Sequence, residues 1–473
     1  MLSRLSDRIY RTLFANDNAA DCAGISDAAC AIESRSFFWN LANGACSKLA
    51  EKLAGPEIVL PLLMTLVGIP AYYVGLLMPV RQAGSLLPQL IAGGGIRRFA
   101  IRKWFWSASA AVQAIAIAAI LYICLQSRAA ELGFAVVAAV LCFSLASGVA
   151  SISFKEVLAK TIPRGRRGRL LAARATVGGA LALSAGAALQ WYYLPASQQD
   201  AAGALAFAWL LGPAVALWLA AALFFAWIPE ESGSTSESDD MLADVLASLH
   251  LLREHDFLIF LATRGLLLAV PLAMPFFAIL ALDPAGGGDG NGGSGETAIF
   301  RSGALMIAMA GSEILSSTFW GRLADRSSRL AMSAGGLLFT LCCFAPLIGS
   351  NFAPQEIAGP DSPGWWRWLA AGIDREFYYT LVFFALGVSY AGVRLGRKTY
   401  IVDAAPPEYR SLFVALGNSV IGVLTLVWGA SSVFLEVLAP GWIIPALGGL
   451  GLIGAWIALI WLPRPDSFCR HLK

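Results

Sequence analysis

Charged side chains interrupt several of the long apolar runs in this sequence. A charge at the centre of a bilayer costs about 2.5–3.5 kcal/mol even on the lenient insertion scale. Residues that carry this cost usually face an internal cavity or a partner, so these positions are candidate binding or proton-transfer groups. Those in the first half are Lys48, Glu51, Lys52, Glu57 and Arg81, and those in the second half are Arg264, Glu313 and Arg394.

Two groups of these charges are placed so that they could interact. Lys48 and Lys52 share a helix face, with Glu51 beside it, because residues four apart are neighbours on a helix. Lys–Glu pairing within that helix, or a shifted span that leaves these residues at the surface, is the alternative. Arg264 and Glu313 lie roughly 10–12 Å deep from the same membrane side on consecutive antiparallel helices. We hypothesise that they form a pair that protonation of Glu313 would release; a static ion pair is the alternative.

The elements that must position these charges are membrane-spanning helices. Of the 473 residues, 58% are hydrophobic and 14% are charged, and the mean hydropathy is +0.67. Apolar runs of roughly 20 residues span a bilayer as helices, and such continuous runs exclude the alternating strands of a barrel. The sequence therefore predicts an all-α integral membrane protein with about 12 transmembrane helices. The predicted spans are 36–66 (interrupted near Pro56 and Pro61), 70–92, 104–125, 132–157, 171–194, 204–228, 257–282, 298–320, 331–349, 377–400, 411–437 and 441–462.

Basic residues cluster in alternate loops between the predicted spans, within 97–103, 160–169, 322–329 and 397–410. Because Lys and Arg mark cytoplasmic loops, we place these loops and both termini in the cytoplasm, where Cys30 is expected to be a free thiol. An acidic, Ser-rich stretch divides the spans six and six. The predicted segments are 1–35 (cytoplasmic N-terminal segment), 36–228 (N-terminal six-helix bundle), 229–256 (central cytoplasmic linker), 257–463 (C-terminal six-helix bundle) and 464–473 (cytoplasmic tail).

Two stretches of the second half repeat patterns of the first. The sequence FSLASGVASISFKEVLAKTIPRGRRGRL at 143–170 aligns with FALGVSYAGVRLGRKTYIVDAAPPEYRSL at 384–412. The sequence AGSLLPQLIAGGG at 83–95 likewise aligns with AGSEILSSTFWG at 310–321. Both matches fall on corresponding spans around the central linker, and we interpret them as an internal repeat of six spans.

The segment GRLADRSSR at 321–329 resembles the signature loop of the major facilitator superfamily (MFS), Gly-x-Leu-Ala-Asp-Arg-x-Gly-Arg. Ser328 replaces a glycine of that pattern, and the corresponding first-half segment, GGGIRRFAIRK at 93–103, has no aspartate. The resemblance implies two pseudo-symmetric six-helix bundles around a central cavity. Gly321 is expected to let neighbouring helices approach closely. Asp325, Arg326 and Arg329 are expected to hold the cytoplasmic side of the gate through hydrogen bonds and ion pairs.

The same resemblance implies a secondary transporter that moves a small solute by alternating access, with a proton gradient as the drive. Cations near the expected cavity favour an organic anion as the substrate. The candidate substrate-binding residues are Lys48, Lys52, Arg81, Arg264 and Arg394. The candidate proton-coupling residues are Glu51, Glu57 and Glu313, and the candidate gating residues are Gly321, Asp325, Arg326 and Arg329.

A non-transporting membrane protein of this fold, acting as an assembly factor or a sensor, is the alternative function. The histidines and cysteines show neither a catalytic set nor metal-ligand spacing, so we expect no enzyme, no cofactor and no metal. The expected partners are a small-molecule substrate and the lipid bilayer, without nucleic acid, and the chain is expected to be a monomer. Its Ala- and Gly-rich composition fits a bacterial inner membrane.

Overall fold

The computed structural model describes residues 25–89, 95–96, 98–126, 132–163, 166–193, 207–232, 248–282, 295–349, 375–405, 410–438 and 441–468. These residues are predominantly helical, and they contain no strand. The helices of the first half are α1 (Asp27–Ala31), α2 (Glu33–Leu53), α3 (Val59–Val67), α4 (Ala71–Leu86), α5 (Lys103–Gln126), α6 (Leu132–Thr161), α7 (Arg167–Tyr193) and α8 (Ala208–Ala226). Those of the second half are α9 (His255–Leu266), α10 (Ala269–Leu282), α11 (Gly295–Arg326), α12 (Ser328–Gly349), α13 (Arg375–Ala404), α14 (Arg410–Leu438) and α15 (Ile443–Ile460).

The predicted class, an all-α integral membrane protein, is confirmed. Within the described ranges, nine helical segments are long and apolar enough to cross a membrane, counting α9 and α10 as one segment. The other predicted spans correspond to α2 with α3, to α4 and to α11, which are helical but broken, short or interrupted by charge. Lys48, Arg81 and Glu313 lie on these helices, so the least apolar helices are those that carry the candidate site.

The first span of each half is broken into two helices. The first break separates α2 from α3 near Pro56, as predicted, because proline has no N–H to continue the helix; Leu60 N bonds instead to Gly55 O at 3.1 Å. The second break separates α9 from α10 within a stretch for which the sequence predicts one continuous span. Pro271 explains it, since its ring nitrogen cannot donate to Leu267 O, which accepts from Val270 N at 3.3 Å.

Helix packing follows the same pattern in both halves. In the first half α5 packs on α6 and α8, and α4 packs on α6. In the second half α12 packs on α13 and α15, and α11 packs on α13. The two halves meet along two seams, α4 against α14 and α7 against α11. Small residues form these seams: a Cβ added to Gly429 would lie 2.4 Å from Pro79 Cβ, so the backbones approach closely only because glycine is present.

One end of the molecule carries the basic residues, and we call it the basic end. It is defined by Arg98, Arg102, Lys160, Arg326 and Arg397, which lie at or near helix termini. The orphan carbonyls at helix C-termini accept hydrogen bonds there from cationic side chains. The two halves do this in the same way, since the first turn of α5 or α12 reaches the C-terminus of α8 or α15. The bonds are Lys103 Nζ to Ile228 O at 2.8 Å, and Arg329 Nη2 to Leu459 O at 2.5 Å.

Ion pairs also join the first-half helices at the basic end. The Glu230 carboxylate accepts from the backbone N–H groups of Arg102 and Lys103 and from Lys160 Nζ at 2.8 Å. Arg102 also pairs with Glu156. Cys30 is disulfide-bonded, so the prediction of a free thiol is wrong at this position. Residues 1–24, 233–247 and 469–473, which belong to the predicted N-terminal segment, linker and tail, lie outside the described residues.

Candidate functional site

A cavity of about 260 Å³ lies between the two halves of the molecule. The first half contributes α2, the break that follows it, α4 and α7, and the second half contributes α11 and α13. Its charged lining consists of four cations and three carboxylates: Lys48, Lys52, Arg81, Arg394, Glu51, Glu57 and Glu313. The cavity therefore has one surplus positive charge when every group is ionised. Of the eight candidate binding and coupling residues, only Arg264 is not part of this lining.

The first half holds a three-residue ion network at the cavity wall. Glu51 binds Lys48 Nζ with one carboxylate oxygen at 3.0 Å and Arg81 Nη2 with the other at 3.1 Å. The Arg81 guanidinium also stacks over the Phe143 ring, 5.1 Å from its centroid. The Arg81 side chain is 16% exposed and that of Lys48 is 54% exposed. Arg81 is therefore a largely buried cation with a fixed orientation, whereas the Lys48 side chain is paired but more exposed to the cavity.

A second pair lies at the break between α2 and α3. Lys52 Nζ and Glu57 are 3.7 Å apart, and both side chains are about one quarter exposed or less (24% and 22%). Gly55 and Pro56 at the break also line the cavity. Broken helices that expose backbone polar groups at a central cavity are a known way to build a transporter site, because non-helical backbone is tolerated in a membrane only where it lines such a cavity.

The second half contributes one ion pair, between Arg394 on α13 and Glu313 on α11 at 3.4 Å. The hypothesis that Glu313 pairs with Arg264 is wrong, because α11 packs against α13 and turns Glu313 toward that helix. Arg264 donates instead from Nη2 to Asn418 Oδ1 at 2.9 Å. Tyr390 lies one turn from Arg394 on α13 and lines the same cavity, with the guanidinium 5.3 Å from its ring centroid.

The cavity is closed at the end opposite the basic end. There α10 packs against α3 and α4, and α11 packs against α3. The apolar side chains of these short segments are fully buried, including Val59, Leu62, Leu63, Met64, Val270, Ala273 and Met274. Lys48, the most exposed of the paired charges, lies on the other side of the cavity. The structure is thus a state in which the cavity opens toward the basic end.

The residues of the signature loop lie away from the cavity. A Cβ at Gly321 would meet nothing within 4 Å, so the expectation of a close helix approach at Gly321 is wrong in this state. Asp325 and Arg326 are exposed and make no ion pair among the described residues. Arg329 binds two carbonyls of α15 within its own half, at Ala458 and Leu459. In a state that is open at the basic end, the two halves are apart where the loop would act.

Three positions of the site were not singled out in the sequence. Tyr390 could have been found as the aromatic neighbour one turn before Arg394. Asn418, the partner of Arg264, is a single polar residue in an apolar helix, and such residues more often join helices than bind ligands. Gly178 packs directly on Lys48, since a Cβ there would lie 2.6 Å from Lys48 Cβ, and one glycine among the many in this sequence carries no such signal.

No family model matches the sequence, and no curated protein matches it. Solved structures do match the fold. A D-xylose–proton symporter superposes with a TM-score of 0.61 at 13% identity, covering 91% of this chain and 98% of that one. A mutant of the nucleoside transporter NupG gives 0.59 at 14% identity, covering 92% and 100%. A POT family transporter in complex with 5-aminolevulinic acid gives 0.58 at 13% identity, covering 92% and 97%. These neighbours are MFS-type transporters. The chain therefore has the fold of the major facilitator superfamily.

Proposed function

We propose that this chain is a secondary active transporter that moves a small organic anion across the membrane by alternating access. The observation that carries the proposal is the charged cavity between the two halves, in which four cations face three carboxylates. A charge within a membrane is costly, and a structural pair needs equal numbers of each sign. Glu51 is shared by Lys48 and Arg81, so the cavity keeps a net positive charge that an anionic substrate would neutralise.

The distribution of the ion pairs between the two halves supports this role. Each ion pair of the cavity is internal to one half: Lys48, Glu51 and Arg81 belong to the first half, and Glu313 and Arg394 to the second. An anion bound between Arg81 and Arg394 would connect the halves through charge-assisted hydrogen bonds, which arginine forms with good geometry to carboxylates. Substrate binding would thereby favour closure of the basic end.

Glu313 is the carboxylate whose protonation would act most directly on substrate binding. Glu51 contacts Lys48 and Arg81, and Glu57 pairs with Lys52 at 3.7 Å. Glu313 pairs at 3.4 Å with Arg394, one of the two arginines proposed to hold the anion. Protonation of Glu313 would release Arg394 to bind substrate, so proton and anion would bind together. One structural neighbour is named a proton symporter, which supports this form of coupling.

The remaining features are proposed on the same basis. The basic loops place the basic end, and both termini, in the cytoplasm of a bacterial inner membrane. The six-helix bundles 36–228 and 257–463 would rock about the seams α4–α14 and α7–α11, with 229–256 as their linker. The gating loop Gly321, Asp325, Arg326 and Arg329 would contact the other half only when the basic end is closed.

The test is ligand binding by the purified chain, followed by uptake into proteoliposomes. Unfolding would be followed with a library of carboxylates at two pH values, because a ligand raises stability by RT ln(1 + [L]/Kd), about 2.7 kcal/mol at a hundredfold excess over Kd. We expect Arg394→Gln to lose about 1.5–3 kcal/mol of binding, roughly 10–150-fold in Kd. The matched control is Arg322→Gln, which removes an exposed arginine outside the cavity.

Uptake decides between the two functions that the sequence leaves open. A carboxylate that stabilises the parent and Arg322→Gln, but not Arg394→Gln, and that accumulates in proteoliposomes, would support transport. A stabilising ligand without uptake would favour the non-transporting sensor. If no carboxylate binds and Arg394→Gln behaves like the control, the organic-anion proposal is wrong.

A further inference from the structure

A pair of arginines lies below the cavity, toward the basic end of the second half, and the proposed transport cycle does not use it. Arg264 on α9 donates to Asn418 on α14, while its Nε is buried and has no acceptor among the described residues. Arg397 on α13 is half-buried. The ion pairs in the described part of the chain include neither arginine.

Aromatic packing fixes the relative height of the two arginines. Phe260 of α9 stacks on Tyr400 of α13 with ring centroids 5.3 Å apart. The two helices are antiparallel there, since Phe260 is near the start of one and Tyr400 near the end of the other. Arg264 lies four residues beyond Phe260, about 6 Å along the axis, and Arg397 lies three residues before Tyr400, about 4.5 Å. The backbone positions of both arginines are therefore about one turn from the stack, at a similar level.

This arrangement of two arginines is energetically unfavourable when no anion is bound. Two like charges at one level repel each other. Taking an ion out of water without a counter-ion costs several kcal/mol, and a single neutral amide, Asn418, does not supply the missing charge. Ionisable residues within a membrane protein are by default candidates for a functional site.

We propose that Arg264, Arg397 and Asn418 form a second anion-binding station, which takes an oxyanion such as a carboxylate or a phosphate. Guanidinium groups bind such anions with two parallel hydrogen bonds, and Asn418 would fix the orientation of Arg264. Arg397 is three residues from Arg394 on α13, so the station lies one turn, about 4.5 Å, from the cavity arginine. The inference goes beyond the proposed transport, because the station would bind an oxyanion whether or not the chain transports one.

The test uses the purified full chain in nanodiscs of a zwitterionic lipid, with inorganic phosphate as the probe and chloride of equal ionic strength as the reference. We expect phosphate to raise the unfolding midpoint. Arg264→Gln and Arg397→Gln should each weaken phosphate binding about tenfold or more, while Arg322→Gln, which removes an exposed arginine outside the cavity, should retain it. Without phosphate, both Gln variants should unfold no earlier than the parent, because each removes an uncompensated charge.

Arg264→Lys covers the case in which a Gln variant fails to fold. It keeps the charge but loses the planar fork, so it should fold and still bind phosphate more weakly than the parent. Nanodiscs that contain an anionic lipid identify the source of the oxyanion. A midpoint raised by that lipid alone, and lost in both Gln variants, would make the ligand a lipid headgroup. The proposal is overturned if neither phosphate nor anionic lipid acts, or if the response survives in Arg264→Gln and disappears in Arg394→Gln.

Discussion

The α7–α11 seam makes a quantitative prediction about which side of the cavity is open. At this seam Gly186 and Gly303 face each other on the end opposite the basic end. A Cβ added to Gly303 would lie 2.9 Å from Gly186 O and 3.0 Å from Leu189 Cβ. Because one of these neighbours is backbone, Gly303→Ala forces the two helices apart rather than moving a flexible side chain.

The size of the effect follows from the overlap. Overpacking of this kind costs about 1–3 kcal/mol. The cost arises only when the seam is closed, so it shifts the equilibrium between the two open states by roughly 5–150-fold toward opening at the end opposite the basic end. Gly212→Ala is the matched control, because a Cβ at Gly212 on α8 would meet nothing within 4 Å.

The assay is the rate at which a membrane-impermeant maleimide labels a cysteine in the cavity from the side opposite the basic end. Met78→Cys on α4 is the reporter, in a background without other cysteines, since Met78 lines the cavity away from the α7–α11 seam. We expect Gly303→Ala to raise the labelling rate by about the factor given above. Equal rates for Gly303→Ala and Gly212→Ala, in proteins of equal melting temperature, would refute the reasoning.

Two further predictions concern the basic end. The Arg166–Glu33 pair, with N and O 2.7 Å apart, is largely buried, so Arg166→Met should destabilise the chain by about 3–5 kcal/mol in thermal unfolding. Adding Glu33→Gln should recover most of that loss, and a double variant no better than the single one would show that the pair is not the cause. The proposed orientation requires Cys30 to be reduced in cells, although it is disulfide-bonded here. Labelling of intact cells by an impermeant maleimide that rises after treatment with an impermeant reductant, and that does not rise in Cys30→Ser, would reverse the orientation.

The sequence predicts the spans well because apolar composition and the prolines that interrupt helices are local properties. The break at Pro56 could be predicted from proline chemistry, and the cavity charges could be singled out because each is costly in an apolar run. The break before Pro271 was missed because a proline in the first turn of a helix is compatible with that helix. Nothing nearby in the sequence distinguishes the start of α10 from the interior of one long span.

The partners within the site could not be predicted in the same way. Sequence position sets the depth of a side chain through the rise per residue, and on depth alone Arg264 and Glu313 were reasonable partners. The direction in which each side chain points depends on how the helices are rotated in the packed bundle. Because α11 packs on α13, Glu313 pairs with Arg394. Because α9 packs on α14, Arg264 donates a hydrogen bond to Asn418.

The signature loop shows that the conformational state of the protein also cannot be predicted from a motif. Gly321 would be read as a close-approach residue in any sequence with this motif, yet its surroundings are open here. A protein with two arrangements has two sets of contacts, and one sequence encodes both. Which set is present depends on the state, so a motif predicts a contact without saying when the contact forms.

The net charge of the cavity restricts how many protons can accompany the substrate. Closing the basic end removes water from the cavity charges, so the closed state is favoured most when the loaded cavity is neutral. With one surplus cation, a monoanion achieves this without a proton. A dianion achieves it only if one carboxylate is protonated as well, and we assign this role to Glu313 because its partner is Arg394. Uptake of a dianion by proteoliposomes should therefore rise as the pH falls, and Glu313→Gln should remove the pH dependence. Dianion uptake that is independent of pH in the parent chain would mean that the surplus charge does not set the stoichiometry.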